Sequence, residues 1–340
     1  MKNSGKRWRH RLEWVAIGTL AWTIPRLPRR VCLALADFLG GVAAFVHWPG
    51  RQVALSNLEN AFGQELSPQQ RKVLVRESYQ YFARAMADLF WSPRLRSENV
   101  ADVVDLGEVE RFVAAGGADR GVIFACLHYA GFELIAHVLG LAGVRCTVVT
   151  NAFKNPLLNP TFNELRELSG HQTIRREGAM LRLYKALRNG RSVGLAVDLT
   201  VSAKLPSVLI TCFGMQTCVT FAHAWLHRRA GAPIVPTHCE PLPDGRYKLV
   251  LHQPLEIGPE ATNQQIAQMC WDRFEPVVRR NPAPWLWMYK HWRYRPPQAQ
   301  RPYPEYANES PHFRKLLART EKEKAAAAVA ISASDAGMRG

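Results

Sequence analysis

The segment Leu127-His128-Tyr129-Ala130-Gly131-Phe132-Glu133 holds the pair of side chains best suited to acid–base chemistry in this chain. An imidazole beside a carboxylate can strip a proton from an alcohol, the carboxylate fixing the ring tautomer and stabilising the imidazolium that forms. The segment closes an apolar run, Gly121 to Leu127, that reads as a buried strand, and opens an amphipathic run, Phe132 to Leu141, that reads as a helix. On one continuous helix, residues five apart point about 140° from each other, at about 100° per residue. His128 and Glu133 are therefore expected to meet only with His128 in the turn and Gly131 bending the backbone sharply. A neutral ring near a helix N-terminus is also the better base, because the dipole there disfavours imidazolium. The same pattern fits a structural histidine beside a solvent-facing glutamate.

Other reactive groups are weaker candidates. Cys126 lies two residues before His128, on the same strand face, where an acyl-cysteine is conceivable but a small core residue is the simpler reading. His223 and His227 have a metal-compatible i, i+4 spacing, but the glutamate of an HExxH motif and a third ligand are missing, so no metal is expected. The run from Trp285 to Arg295 interleaves Trp285, Trp287, Trp292 and Tyr294 with Lys290, Arg293 and Arg295. It suits a phosphate-bearing glycolipid at an interface, stacked nucleobases, or a packing strand with a basic exposed face.

The elements that must position these groups alternate in type. Candidate strands are 121–127, 145–150, 192–197, 208–213, 233–239 and 247–252, and candidate helices are 132–141, 157–169, 180–188, 221–229 and 263–280. Such alternation predicts an α/β fold with a mostly parallel or mixed central sheet flanked by helices. Sites in such folds gather at the carboxyl ends of strands, where His128 and Asp198 both fall. Upstream, 67–91 reads as a helix capped by Ser67 with Pro68 at its first position and stopped by Ser92-Pro93. The implied division is 1–50 N-terminal membrane-anchoring helices, 51–100 a helical segment, 101–298 the α/β core, and 299–340 a disordered low-complexity tail with at most one marginal helix.

Composition narrows the partners. With 47% hydrophobic residues and 10 tryptophans the chain is not a disordered one. A formal charge of +16 asks for an anionic partner: membrane phosphate, a phosphorylated substrate or nucleic acid. The seven cysteines are scattered, with no CxxC pair, which argues against a zinc site or a disulfide framework and for a reducing compartment. Apolar runs at 12–24 and 31–48 are flanked by arginines, and the second is broken only by Asp37. Neither is a clean span; with their tryptophans they suggest helices lying in, or partly crossing, an anionic membrane surface, with the body of the protein on the cytoplasmic side. That apolar N-terminus disfavours nucleic acid as the partner.

Three further segments sharpen the reading: 184–198, ending in Val197-Asp198, with Arg175-Arg176 upstream; Thr211-Cys212-Phe213-Gly214, followed by a helix and 230–236; and Asn281-Pro282-Ala283-Pro284-Trp285-Leu286-Trp287 running on to Arg293. In this order and spacing, with Arg51 to Leu58 upstream, residues 10–296 resemble the late acyltransferases of lipid A biosynthesis, within the lysophospholipid acyltransferase superfamily. The resemblance implies an inner-membrane enzyme, active on the cytoplasmic side. It would move a fatty acyl chain from acyl carrier protein, or acyl-CoA, to a hydroxyl on a lipid A precursor or related glycolipid. No cofactor is implied beyond that acyl donor as co-substrate. The motif base and its partner carry over onto His128 and Glu133, and substrate-binding positions onto Arg176, with Arg175 as a one-residue shift, and Asp198. Lys290 and Arg293 join the acceptor-binding candidates. The oxyanion donor would be Arg176 or backbone N–H groups of the turn after His128. Two departures bear on the acceptor: Leu199 follows the aspartate where the family usually has a polar residue, and Ala283-Pro284 replace its acidic-glutamine pair. Other readings are the same fold acting on a phosphoinositol mannoside or an aminolipid, or a non-catalytic basic protein that binds membrane or nucleic acid.

Overall fold

The computed structural model describes residues 2–323, with side chains from residue 5 onward. Four helices come first: α1 (Lys2–Thr23), α2 (Arg29–Val46), α3 (Trp48–Phe62) and α4 (Pro68–Trp91). The start of α4 is a capping box, in which the Ser67 hydroxyl accepts from the Gln70 N–H and the Gln70 side chain accepts from the Ser67 N–H. The buried face of α2 is made of small residues, Cys32, Ala36, Gly40 and Ala44, so α2 and α4 pack closely. A Cβ at Gly40 would lie 2.7 Å from the Gln80 Cα of α4. Asp37, the one charge in this apolar run, is held by Arg84 of α4, and Arg29 reaches Asp88 at 2.8 Å.

The core then alternates as β1 (Val104–Asp105), α5 (Gly107–Ala114), β2 (Ile123–Cys126), α6 (Leu134–Leu141), β3 (Cys146–Thr150), α7 (Asn159–Glu167), β4 (Gln172–Arg175), α8 (Ala179–Arg188) and β5 (Ser192–Ala196). A hairpin, β6 (Val208–Cys212) and β7 (Met215–Val219), is followed by α9 (Ala222–Ala230), β8 (Ile234–Pro241), β9 (Tyr247–Leu251) and α10 (Asn263–Arg280). Seven strands form one sheet in the order β1-β9-β8-β2-β5-β3-β4, parallel throughout except where β9 meets β8. The mixed α/β sheet expected from the alternation is therefore present. Its central strands read as unbroken apolar runs because both faces are covered. Crossovers from β2 to β3 and β3 to β4 run one way across the sheet and those to β5 and β8 run back, so right-handed connections put α6 and α7 on one face and α8 and α9 on the other.

Several expectations are corrected. The 208–213 strand is not in the main sheet but pairs antiparallel with β7, packing against α10. Strand β4 has only one buried residue, Ile174, and so left no apolar run to find. The 299–340 segment is not wholly a disordered tail. Within it, 311–323 is helical and buries Phe313, Leu316 and Leu317 against Leu209 and Cys218 of the hairpin. The Arg301 guanidinium donates to the Phe213 carbonyl, and the Tyr306 hydroxyl to the Asn57 side chain. Residues 324–340 lie outside the described part. Among the described residues no single helix is long and apolar enough to cross a membrane, and the apolar pair formed by α2 and the chain from Trp48 to Glu65 bends by 89°.

Candidate active site

The parallel strands β2 and β5 are hydrogen-bonded neighbours, with Cys126 level with Ala196. Two residues past each strand end stand His128 and Asp198, and their side chains meet. The Asp198 Oδ1 lies 2.7 Å from the His128 Nδ1, and the Asp198 Oδ2 accepts both the His128 backbone N–H at 3.1 Å and the Trp285 indole N–H at 3.0 Å. The carboxylate side chain is wholly buried, whereas the imidazole keeps 19% of its surface open. With Nδ1 committed, Nε2 is the ring nitrogen left for a substrate proton. Burial alone would lower the His128 pKa, but the charge and hydrogen bond of Asp198 outweigh it and hold the ring above its ordinary value. Burial likewise pushes Asp198 upward, and the charge and hydrogen bond of His128, with the indole donor, more than reverse it. The arrangement can serve as an oriented base whose carboxylate partner is held in its ionised form.

Glu133 does not make this contact. Its two oxygens accept from Arg166 of α7 at 2.9 and 2.6 Å, a bidentate pair. The expected His128–Glu133 contact is thus corrected to His128–Asp198, and the reason lies in the turn. Ala130, not Gly131, takes the left-handed backbone (φ +46°), while Gly131 is small because a Cβ there would lie 2.9 Å from the Tyr247 ring. That turn delivers Glu133 to the last residue before α6, aimed at α7. Three of the turn's amides are engaged: His128 N–H goes to Asp198, Tyr129 N–H to the Leu127 carbonyl and Ala130 N–H to the Pro284 carbonyl. Among the described residues the Gly131, Phe132 and Glu133 amides carry no hydrogen bond, and these are the backbone donors the turn can still offer an oxyanion.

His128, Glu133, Arg166 and Arg176 line one cavity of about 990 Å³. It straddles the carboxyl edge of the sheet, with walls from α6 and α7 on one side and α8 and α9 on the other. Its lining is mostly apolar, as a greasy substrate needs. Arg176 is exposed at its rim, whereas Arg175, at the end of β4, is exposed and not part of the lining. Lys290 is also away from it, its ammonium standing over the Tyr306 ring at 5.3 Å. Arg293 reaches it only through Tyr289, a lining residue whose hydroxyl takes a 2.8 Å hydrogen bond from that guanidinium.

The aromatic run is not an interfacial belt: Trp285, Trp287 and Trp292 are all fully buried, and Trp285 stacks on His291 with ring centroids 4.0 Å apart. Trp285 is a site residue that the sequence reading placed in the wrong setting, and Arg166 is one that it missed, since a lone arginine in a short helix carries no spacing signal. Burial and Asp198 push the Cys126 thiol up to about 12, so it is a neutral wall rather than a nucleophile. His223 is buried with both ring nitrogens unpartnered, and among the described residues no group of side chains could hold a metal ion.

Comparison with known proteins bears on the family to which the chain belongs. The chain is 26% identical over 297 residues to a lipid A biosynthesis lauroyltransferase of Escherichia coli K12, covering 85% of this chain and 93% of that protein. It is similarly 26% identical over 301 residues to the palmitoleoyltransferase of the same organism, with 85% and 93% covered. A phosphatidylinositol mannoside acyltransferase of Mycobacterium tuberculosis is 24% identical over 226 residues, covering 64% of this chain and 70% of that one. The family model for bacterial lipid A biosynthesis acyltransferases matches residues 1–294, so the chain belongs to that family and is an acyltransferase.

Proposed function

We propose that this acyltransferase moves a fatty acyl chain from an acyl thioester, carried by acyl carrier protein or coenzyme A, to a hydroxyl of a lipid A precursor or closely related glycolipid. The observation that carries the reading is the 2.7 Å contact between His128 Nδ1 and Asp198 Oδ1 at the edge of a large apolar cavity. In the proposed step His128 Nε2 takes the proton of the acceptor hydroxyl as its oxygen attacks the thioester carbonyl. Collapse of the tetrahedral intermediate breaks the C–S bond, and the imidazolium returns its proton to the leaving thiolate. Asp198 stabilises the imidazolium between those two transfers, as the carboxylate of a hydrolytic triad does. The acceptor is itself the nucleophile, so no enzyme serine or thiol is required.

Arg176 at the rim is the cation offered to the oxyanion or to an acceptor phosphate. The bidentate Glu133–Arg166 pair holds α6 to α7 and shapes the wall beside the base. The acceptor would come from a membrane. Trp8, Trp14, Trp22, Phe38, Phe45 and Trp48 of the N-terminal helices are all more than 45% exposed, an apolar face with arginines among it. This face is proposed to lie in the cytoplasmic leaflet of the inner membrane. Cells lacking the chain are expected to accumulate a lipid lighter by one acyl group, and the purified enzyme to restore it. An unchanged lipid profile, with no transfer by the purified enzyme, would reject the assignment. A mannoside rather than a glucosamine lipid losing the chain would replace the acceptor and keep the chemistry.

A further inference from the structure

The cavity floor carries information about the acyl chain that the strand pattern could not. Along β2, β3 and β5 side chains alternate between faces, and lining residues Phe124, Cys126, Val148, Thr150, Gly194 and Ala196 all share the face that continues to His128 and Asp198. Directly beneath the catalytic pair the strands carry small groups, the Cys126 thiol and the Ala196 methyl. Ala196 is exposed although it sits in the interior of the sheet, which requires open space above it. One pleat further down, Gly194 is buried, with Phe124 and Val148 as its register partners on either side. A glycine inside a central strand weakens it and marks a place where something approaches closely. No protein backbone does so here: a Cβ built on Gly194 would meet a single atom within 4 Å, Val148 Cγ2 at 3.3 Å.

We propose that Gly194, between Phe124 and Val148, forms the floor on which the donor acyl chain ends, and so sets the chain length this enzyme transfers. This rests on the acyl-transfer reading above. Gly194 lies four residue steps before Asp198, a descent of about 13 Å at a strand rise of about 3.3 Å per residue. With C–C bonds near 1.5 Å an extended chain advances about 1.3 Å per carbon, so roughly ten carbons lie between the reacting carbonyl and Gly194. A side chain at 194 would fill the trough, and each methylene it excludes from apolar surroundings costs roughly fourfold in affinity.

The test is a series of donors from about eight to about sixteen carbons on one carrier, with wild type, Gly194→Ala, Gly194→Val and Val148→Ala. Gly194→Val is expected to move the optimum at least two carbons shorter, lowering kcat/KM for the longest donors by roughly 15-fold or more relative to the shortest. Gly194→Ala should do the same more weakly, and Val148→Ala should move the optimum to longer chains. Wild-type turnover in the same assay reads the parent assignment separately, since its absence would remove acyl transfer itself. With wild type active, an unmoved optimum in the Gly194 variants, or an equal loss at every chain length, overturns the proposal. If both Gly194 variants fail to fold, an unmoved optimum in Val148→Ala overturns it instead.

Discussion

Two carboxylates stand near one histidine, Glu133 in the cavity wall and Asp198 buried behind the ring, and they are held in opposite ways. Asp198 is buried, stands two residues past a central strand, and spends one oxygen on the His128 ring and the other on two N–H donors. Glu133 sits five residues from the same histidine in sequence, yet both of its oxygens belong to a guanidinium on another helix. Neighbourhood in the chain and neighbourhood across a sheet are different things. In a parallel sheet the residues that follow adjacent strands are brought side by side whatever their separation, here 70 residues. A carboxylate whose charge is already balanced by arginine has little left with which to stabilise an imidazolium; one held by neutral donors keeps nearly all of it.

The contrast can be broken by mutation. Asp198→Asn should lower kcat by about 10² to 10⁴-fold with little change in KM, since it removes charge stabilisation made only as the proton moves. Glu133→Gln should act mainly on the fold and the cavity wall, because it strips a partly buried guanidinium of its counter-charge at a cost of about 1–3 kcal/mol. Chemical denaturation should therefore register Glu133→Gln strongly, and activity per folded molecule should register Asp198→Asn far more. The reverse ranking would return the partner's role to Glu133.

A finer test uses pH. Because Asp198 holds the His128 pKa above its ordinary value, and the base works only when neutral, kcat/KM should climb with pH through a midpoint above about 6.5. Trp285→Phe removes one donor from Asp198 Oδ2 and should displace that midpoint; a uniform loss of rate with an unmoved midpoint would make the indole only a packing group. The smallest effect concerns stability rather than turnover. Burial lowers the pKa of His223 to about 4, and the unfolded chain binds that proton near 6.5. Its contribution is thus intact above about pH 6.5 and is lost as pH falls toward 4, amounting to about 2 kcal/mol by pH 5. His223→Leu should flatten that part of the acid limb of a denaturation series, and an unchanged limb would show the ring to be neutral in both states.

The alternation of strands and helices, the Ser67 cap and the strand ends carrying His128 and Asp198 were all legible in the chain, because apolar periodicity and cap chemistry are local. The hairpin around Phe213 was misplaced in the sheet, since an apolar five-residue run says nothing about which partner it pairs with. The helix at 311–323 escaped for a related reason: its few apolar side chains are stabilised by a distant hairpin rather than by propensity. The tryptophans at 285, 287 and 292 look alike in sequence to an interfacial belt, and only the core that closes over them distinguishes the two.

By itself, then, the sequence determined the chemistry available, an imidazole and carboxylates at strand ends ahead of an apolar face, because residue type and period are written along the chain. The tertiary structure alone decided which carboxylate serves the imidazole and how deep the cavity beneath it runs. Both depend on strand register and on the conformation of one turn at Ala130, which join groups that the chain keeps 70 residues apart.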